Sequence, residues 1–200
     1  ALAAAHEAIQ HSGLNLDSIN LERVGVILGT GVGGIQTMEE QHIALTTRGP
    51  RRVSPHFVPK MIANIAAGQI AIKYGFQGPN QTVTSACASA NDAIGFSLRL
   101  LRAGDADIIL AGGSEASVSP LPMAGFANMK ALTQKNDVPA EASRPFDLYR
   151  KGFVMGEGAG FLVLETEEHA EKRNAVILAE LAGYGATDDA FHVTQPVEGG

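Results

Sequence analysis

The chain has 200 residues, and its 15 Lys and Arg face 21 Asp and Glu, which gives a formal net charge of −6. This acidic balance excludes a basic surface spread over the whole chain for nucleic acid, but it leaves room for a local basic patch. A single cysteine cannot form a disulfide within the chain, which excludes a disulfide-stapled scaffold and favours a reducing, cytoplasmic location. No apolar run approaches the roughly 20 residues that cross a bilayer, and the amino end lacks the basic start of a signal peptide.

Apolar periodicity predicts helices and strands that alternate along the chain. In chain order, we predict a helix at 1–11, a strand at 24–28, helices at 38–47 and 61–74, a strand at 81–85, a helix at 88–103, strands at 107–111 and 159–164, a helix at 167–173 and a strand at 176–183. Gly104 directly follows the helix predicted at 88–103, where a glycine commonly ends a helix. The alternation indicates βαβ units and a largely parallel sheet covered by helices. The first helix lacks a capping residue before it, so we expect a piece of a longer protein.

The only cysteine, Cys87, lies between a predicted strand and a predicted helix, among the small residues Ser85, Ala86, Ala88 and Ser89. Small neighbours let a substrate approach, and the free N–H groups of a helix amino end stabilise a thiolate or a developing oxyanion. The helix dipole contributes only about 0.3–1 kcal/mol, so a nucleophile here would also need a base. Spacing alone leaves both a nucleophile and a buried structural cysteine open.

A glycine-rich loop at 29–34 (GTGVGG) follows the first predicted strand and matches the G-x-G-x-x-G pattern of dinucleotide-binding folds. That pattern also requires an acidic residue at the end of a second strand about 20 positions later, and 49–55 (GPRRVSP) contains none. The sequence therefore disfavours a dinucleotide site. The six histidines are scattered, and with one cysteine they do not form a zinc-ligand pattern, so we predict no metal site.

Four stretches resemble the β-ketoacyl-acyl-carrier-protein synthases, enzymes of the thiolase fold, and are most similar to synthase II. They are 84–90 (TSACASA), 49–55 (GPRRVSP), 111–116 (AGGSEA) and the pair 143–147 (SRPFD) and 152–160 (GFVMGEGAG). The likeness covers essentially all 200 residues. It implies a thiolase-like α/β fold with a mixed, mostly parallel sheet between helices, incomplete because the second half of the duplicated fold is missing. Residues 1–200 would then be a partial N-terminal domain, with 176–200 leading into the missing half.

The resemblance implies a decarboxylative Claisen condensation that elongates fatty acyl chains by two carbons. Cys87 would accept an acyl group from the phosphopantetheine thioester of a carrier protein, with its backbone N–H in the oxyanion hole. Malonyl-carrier would lose CO₂, and its carbanion would attack the acyl-enzyme. The family also uses two histidines and a lysine from its second half. His192 does not match either histidine motif and receives no catalytic role, so we expect this chain alone to be inactive.

The remaining site residues follow from the same resemblance, position by position. Val32, Phe57, Ala86 and Phe126 match residues of the acyl pocket, with Val32 at its floor; ordinary core packing remains open for the two aromatic residues. Arg51, Arg52 and Lys130 match the basic face that meets the acidic carrier protein, although an exposed basic pair is often merely solvated. Asp189 and Thr194 match a mobile loop beside the pantetheine channel.

The resemblance implies acyl and malonyl thioesters as substrates, the acyl carrier protein as a partner and a homodimer formed through the segment before Cys87. It implies no cofactor of the enzyme's own, because the phosphopantetheine arrives on the carrier, and no nucleic-acid or membrane partner. Three alternatives stay open. They are a polyketide-pathway ketosynthase, a non-catalytic partner like the chain-length subunits, and a nucleotide-binding domain built on the glycine loop. The chain-length subunits typically replace the nucleophile, so the presence of Cys87 counts against the second of these.

Overall fold

The structure is a computed structural model that describes residues 1–199; Gly200, the last residue of the predicted lead-in at 176–200, lies outside the described residues. The α-helices are α1 (Leu2–His11), α2 (Ile35–Arg48), α3 (Phe57–Met61), α4 (Ile65–Tyr74), α5 (Ser89–Ala103), α6 (Pro120–Asn128) and α7 (Glu167–Lys172). The strands are β1 (Val24–Gly29), β2 (Asn80–Val83), β3 (Ile108–Glu115) and β4 (Gly158–Glu165). None of the helices in residues 1–199 is long and apolar enough to cross a membrane.

The four strands form one mixed sheet in the order β2-β1-β3-β4. Strands β2 and β3 both pair parallel to β1, with Gly29 opposite Val83 on one side and Gly113 on the other. Strand β4 pairs antiparallel to β3. Because the carboxyl ends of parallel strands meet at one edge, the loops after β1, β2 and β3 are neighbours there. The predicted mixed, mostly parallel sheet between helices is confirmed.

Both faces of β1 and of the first five residues of β3 are buried, which explains why these central strands read as continuous apolar runs. Successive side chains of a strand point to opposite faces, so β1 and β3 each contribute to two hydrophobic clusters. One cluster contains Ala5, Ile9, Val24, Val26, Leu28, Ala67, Ile70, Phe76, Ile108 and Leu110, and so joins the sheet to α1 and α4. The other contains Ile27, Ala93, Ala106, Ile109 and Ala111, and so joins it to α5. The sheet is therefore a rigid base for the loops at its edge.

Most predicted elements are present with shifted ends, and Gly104 ends α5 in the left-handed conformation as expected. The single helix predicted at 61–74 is wrong, because the structure contains α3 and α4 in its place. The chain is extended at Ile62, and the carbonyl of Met61 accepts a hydrogen bond at 3.1 Å from the N–H of Gly34. The carbonyl of Met61 thus bonds to the glycine loop, whereas in a single continuous helix it would accept a hydrogen bond from the helix backbone.

The strand predicted at 176–183 is also wrong. This segment contains no strand, and its apolar side chains Val176 and Leu178 are 86% and 77% exposed. It is held instead against α5, where Arg102 donates a hydrogen bond to the carbonyl of Ala182 at 2.8 Å. β-propensity describes a side chain that fits a pleated, half-buried surface, and the backbone at 176–183 has no neighbouring strand with which to form one.

Candidate active site

Cys87 lies in a one-turn 3₁₀ helix, Ala86–Ala88, between β2 and the start of α5. Its thiol is exposed. The preceding residue, Ala86, has φ of +52°, a left-handed conformation that costs a residue with a side chain about 1–2 kcal/mol. Strained turns between a strand and a helix are typical of sites that present a nucleophile at the edge of a sheet. The interpretation of Cys87 as a buried structural cysteine is therefore wrong.

Hydrogen bonds within the turn hold it in this conformation. The hydroxyl of Ser89, which is buried, donates to the carbonyl of Ala86 at 2.7 Å and accepts from the N–H of Ser85 at 2.9 Å. The hydroxyl of Ser85 in turn donates to the carboxylate of Asp92, one turn into α5. The turn is thus fixed on both sides of Cys87 while the thiol itself stays open to solvent.

Asp92 connects this turn to the segment that follows α7. Tyr184 donates a hydrogen bond from its hydroxyl to Asp92 at 2.6 Å, and its ring lies over Gly95, where any side chain would overlap it. The hydrogen bonds from Ser85 and Tyr184 lower the pKa of Asp92. The hydrogen bond between Tyr184 and Asp92 also raises the pKa of the Tyr184 hydroxyl. Sequence reasoning missed both residues, because their relation arises only when 184 packs on α5.

Two glycines allow α5 to begin directly on the sheet. A Cβ atom at Gly29 would lie 2.3 Å from the carbonyl carbon of Ser89, and one at Gly113 would lie 2.8 Å from the Cβ of Ala90. Both distances are shorter than real Cβ contacts, and at Gly29 the obstacle is backbone. The absence of side chains at the ends of β1 and β3 therefore sets how closely the Cys87 turn approaches the sheet.

In the glycine loop at 29–34, a carboxylate of the chain itself already accepts hydrogen bonds from two N–H groups. The carboxylate oxygen Oε2 of Glu115 accepts hydrogen bonds from the N–H groups of Gly31 and Val32, at 2.7 and 3.0 Å, and from the hydroxyl of Thr30 at 3.2 Å. A bound phosphate would need these donors and would meet a negative charge. The geometry therefore contradicts the nucleotide-binding alternative. Glu115 itself was not singled out from the sequence, although its position after two glycines at a strand end was a signal.

The four predicted pocket residues occupy different elements. Val32 and Ala86 each lie three residues beyond a paired position of adjacent strands, Gly29 and Val83, so the structure brings their loops together. Phe57 is half-buried at the start of α3, whose last residue contacts the glycine loop. These three residues thus surround the same sheet edge.

Phe126, the fourth pocket residue, is at the surface of α6, with its ring packed edge-to-face on that of Phe153 at 5.2 Å. Helix α6 is tied to α2, because Glu39 accepts a hydrogen bond from the N–H of Leu121 at 2.5 Å. The structure thus places Phe126 on a defined surface, without a contact that joins it to Cys87.

The predicted docking residues are exposed basic side chains on two connections. Arg51 and Arg52 form a 3₁₀ turn, Pro50–Arg52, directly after α2, and Lys130 follows α6. Among the described residues, none of the three takes part in an ion pair. Their charges are therefore available to an acidic partner.

Lys130 also lines a cleft of about 640 Å³ whose other basic residues sequence reasoning missed. They are Lys135, Arg144 and Lys151. Glu141 pairs with two of these, at 3.2 Å from the Lys135 ammonium and 3.6 Å from the Arg144 guanidinium. Basic residues spaced over 20 positions give no recognisable pattern, so only the fold reveals this cluster.

The predicted gating residues lie in one irregular loop near the carboxyl end. Asp189 accepts hydrogen bonds from the N–H groups of Val197 and Phe191, at 3.0 and 3.1 Å. Both lower the pKa of its carboxyl group, and the bond from Val197 has the larger effect. The N–H of Thr194 contacts Nδ1 of His192 at 3.1 Å. The two predicted residues therefore share a loop, but no contact connects it to Cys87. No group of His, Cys, Asp and Glu in residues 1–199 could hold a metal ion.

Comparison with known proteins agrees with this arrangement. A sequence model of the β-ketoacyl synthase N-terminal domain matches residues 1–170. The 3-oxoacyl-[acyl-carrier-protein] synthase 2 of Vibrio cholerae is 47% identical over 199 residues, covering 100% of this chain and 48% of that protein. The mitochondrial 3-oxoacyl-[acyl-carrier-protein] synthase of Arabidopsis thaliana is 47% identical over 202 residues, covering 100% of this chain and 44% of that protein. The chain thus spans about half the length of these relatives.

Two solved structures extend the agreement to three dimensions. A β-ketoacyl synthase from Burkholderia phymatum superposes with a TM-score of 0.90 at 34% identity, covering 98% of this chain and 48% of that one. A type II polyketide synthase acyl-carrier protein in complex with its ketosynthase, bound to the hexaketide, gives 0.88 at 36% identity, covering 96% and 48%. These matches confirm the thiolase-like fold that the motifs implied. Because the family model matches residues 1–170 and relatives about half identical in sequence cover the whole chain, this chain belongs to the β-ketoacyl synthase family.

Proposed function

We propose that Cys87 is the acyl-accepting nucleophile of a ketosynthase that elongates fatty acyl chains by two carbons. Its thiolate attacks the carbonyl carbon of an acyl-carrier thioester, a new C–S bond forms, and the bond to the pantetheine sulfur breaks. Malonyl-carrier then loses CO₂, and the resulting carbanion attacks the acyl-Cys87 carbonyl. A C–C bond forms, the Cys87 thiolate leaves, and a β-ketoacyl thioester remains on the carrier.

The exposed thiol on the Ala86–Ala88 turn is the observation that carries this proposal. The small side chains of Ala86 and Ala88 leave space for a thioester, and the N–H of Cys87 itself is the donor we assign to the oxyanion hole. Relatives named 3-oxoacyl-[acyl-carrier-protein] synthase 2 support the choice of reaction. No cofactor of the enzyme's own is part of the proposal.

The test follows acyl transfer to the protein by mass spectrometry. The full-length protein, incubated with acyl-carrier, should gain one acyl group on the peptide that contains Cys87, and the Cys87→Ala variant should gain none. Incubation with iodoacetamide gives a control for thiol exposure that needs no carrier. Covalent acylation of Cys87→Ala at undiminished stoichiometry would overturn the proposal.

Condensation requires groups that this chain does not supply. The family's two histidines and lysine belong to its second half, and His192 instead contacts the N–H groups of Thr194 and Gln195, each at 3.1 Å. We therefore expect the 200-residue chain, assayed with malonyl- and acyl-carrier, to form no β-ketoacyl product. Measurable turnover by this chain would contradict that expectation.

Carrier docking is assigned to Arg51, Arg52 and Lys130, because an acidic chain displays these unpaired cations on exposed connections. Complementary charge chiefly accelerates encounter, and salt screens it over about 8–10 Å. Replacement of Arg51 and Arg52 by Glu should raise the KM for acyl-carrier about tenfold and flatten its salt dependence. Alkylation of Cys87 by iodoacetamide should stay unchanged.

The matched control for docking is Arg48→Glu, which reverses a charge in the last turn of α2 without altering the Pro50–Arg52 turn. It should change the KM for acyl-carrier less than the Arg51 and Arg52 replacements do. Equal loss of carrier reaction and of alkylation in the double variant would indicate misfolding and contradict the docking role.

The other roles stay with the same reaction. Val32, Phe57, Ala86 and Phe126 are proposed to line the acyl pocket, and the loop that holds Asp189 and Thr194 to gate the pantetheine channel. Strand β2 pairs with β1 on one side only, within the described sheet. Its outer edge is the surface we assign to a homodimer, because an unpaired strand edge readily accepts a second chain.

A polyketide-pathway ketosynthase is the second candidate. The structural similarity to a polyketide ketosynthase complex favours it, since its 36% identity exceeds the 34% of the β-ketoacyl synthase and its TM-score of 0.88 is close to 0.90. Both use the same nucleophile, so the acceptor range distinguishes them. Efficient elongation of saturated acyl-carriers, with poly-β-keto acyl groups rejected, supports fatty acid synthesis, and the opposite preference supports the second candidate.

A further inference from the structure

Glu115 fills the bend of the glycine loop with its own carboxylate. One oxygen, Oε2, receives hydrogen bonds from three successive residues, Thr30, Gly31 and Val32, at distances of 2.7–3.2 Å. Successive N–H groups that point to one place form a concavity for an anion, and here the anion is part of the chain. At Gly31 a Cβ atom would lie 3.0 Å from the same oxygen, so the carboxylate touches the loop closely.

The sheet determines where this carboxylate lies. Glu115 is the last residue of β3, two residues beyond the pairing of Gly113 with Gly29. It therefore extends past the paired end of β1 and over the loop that follows. Burial raises the pKa of its carboxyl group. The neighbouring Ser117 hydroxyl and the hydrogen bonds from the loop lower that pKa by more than burial raises it, so the net pKa is below its usual range. The group is ionised at neutral pH.

The far end of the loop is fixed independently. The N–H of Gly34 donates to the carbonyl of Met61 at 3.1 Å, and a Cβ atom at Gly34 would lie 2.4 Å from the carbonyl oxygen of Lys60. Between these two anchors, the side chain of Val32 is 54% exposed. The backbone position of Val32 therefore depends on Glu115 on one side and on the Lys60–Met61 backbone on the other.

We propose that Glu115 is a positioning residue that fixes Val32 at the floor of the acyl pocket and thereby limits the length of the acyl chain. The inference rests on the proposed function, which assigns Val32 to that pocket. Without the carboxylate, two N–H groups and one hydroxyl lose their acceptor and must turn toward water, because an unpaired polar group is costly. The loop then relaxes, and the pocket accepts longer chains.

The test compares acyl transfer from carriers with 6-carbon and 14-carbon chains to the full-length protein. In Glu115→Ala, the ratio of kcat/KM for the long chain to that for the short chain should rise at least fivefold. Glu115→Asp keeps the charge but is one methylene too short, and should raise the ratio about threefold. Glu115→Gln keeps an acceptor oxygen at the same reach, so its ratio should stay within twofold of the unchanged protein.

Two controls separate positioning from general damage. Glu141→Gln removes the charge of an exposed carboxylate that pairs with Lys135, and should leave the ratio unchanged. Alkylation of Cys87 by iodoacetamide needs no acyl pocket and should change less than twofold in all variants. If Glu115→Ala does not fold, Glu115→Asp decides the outcome alone.

An unchanged chain-length ratio in the folded Ala and Asp variants would overturn the inference. In Glu115→Asp, a decrease of equal size for both chain lengths and for alkylation would also overturn it, because that pattern reports only loss of folded protein. These results differ from a failure of the proposed function. In that case the unchanged protein itself would accept no acyl group at Cys87.

Discussion

The sheet with its edge loops and the segment at 176–199 differ in how they are held. In the first region, β1 and the first five residues of β3 are buried, and the loops above them are fixed by hydrogen bonds of Ser89 with Ser85 and of Glu115 with the glycine loop. In the second region, apolar side chains such as Val193 are exposed, and the main contacts to the sheet region come from Tyr184 and Ala182. Strand pairing and burial therefore separate the two regions.

The largest expected effect is on the contact between β1 and α5. In Gly29→Ala the new methyl group would lie 2.3 Å from the backbone of Ser89, which cannot move without displacing the helix. We expect the free energy of unfolding to fall by about 3 kcal/mol or more, because overpacking against backbone finds no relief. Urea unfolding followed by circular dichroism measures it.

Gly68 is the matched control, since a Cβ atom there meets nothing within 4 Å and the residue is inside α4. Gly68→Ala should stabilise the protein by up to about 1 kcal/mol, because alanine loses less conformational freedom in a helix. A Gly29→Ala variant as stable as Gly68→Ala would mean that α5 does not lie on β1 as described.

The second largest expected effect on stability concerns the hydrogen-bond network at the end of β4. Glu165, at the end of β4, accepts two hydrogen bonds from Arg173, at 2.6 and 2.7 Å, and contacts Nδ1 of His169 at 2.5 Å. Arg173 also donates to the carbonyl of Ser12, which connects α7 to α1. Glu165→Gln should lower the free energy of unfolding by about 2 kcal/mol, because it removes the charge from a charge-assisted network.

This contribution should depend on pH. Burial raises the pKa of Glu165, but Arg173 and then His169 lower it more, so the net pKa is below its ordinary value. A carboxyl group with a lowered folded-state pKa stabilises the fold above the unfolded value and loses that contribution as pH falls through the folded value. The difference between the unchanged protein and Glu165→Gln should be full near neutrality and shrink below about pH 4. A difference that grows on acidification would contradict this account.

The smallest effect concerns the contact between the two regions. Tyr184→Phe removes the hydroxyl that donates to Asp92 but keeps the ring over Gly95. Limited proteolysis within 176–199 should become a few times faster, while the unfolding of the sheet region changes little. Tyr149→Phe is the control, because its exposed side chain makes no hydrogen bond among the described residues. Equal proteolysis of both variants would show that Asp92 does not hold the segment.

Sequence reasoning succeeded where one residue's surroundings are local. The buried strands β1 and β3 are short apolar runs between turn residues, and Cys87 is surrounded by small neighbours within a few positions. It failed at 176–183, because a short apolar run indicates a preference for strand and does not show whether a partner strand is present. The break between α3 and α4 has a similar cause, because the contact of Met61 with Gly34 spans 27 positions of the chain.

The contrast between local patterns and contacts across long stretches of chain also explains which site residues could be predicted. Resemblance to a family gave the predicted roles, and the structure shows how some of the residues are supported. Glu115 reaches across 83 or more positions to the glycine loop, and Tyr184 reaches across 92 to Asp92. No local pattern announces such pairs, since their relation is created by the pairing of β1 with β3 and by packing on α5.

The left-handed alanine beside Cys87 has a consequence for how the protein comes into being. Ala86 does not favour this backbone conformation by itself, and the groups that enforce it belong to α5 and to the ends of β1 and β3. During synthesis, the cysteine therefore emerges as an ordinary thiol on a relaxed chain. Its presentation at the sheet edge arises only once strands separated by more than 80 residues have assembled, so the exposed, fixed thiol is a property of the folded chain alone.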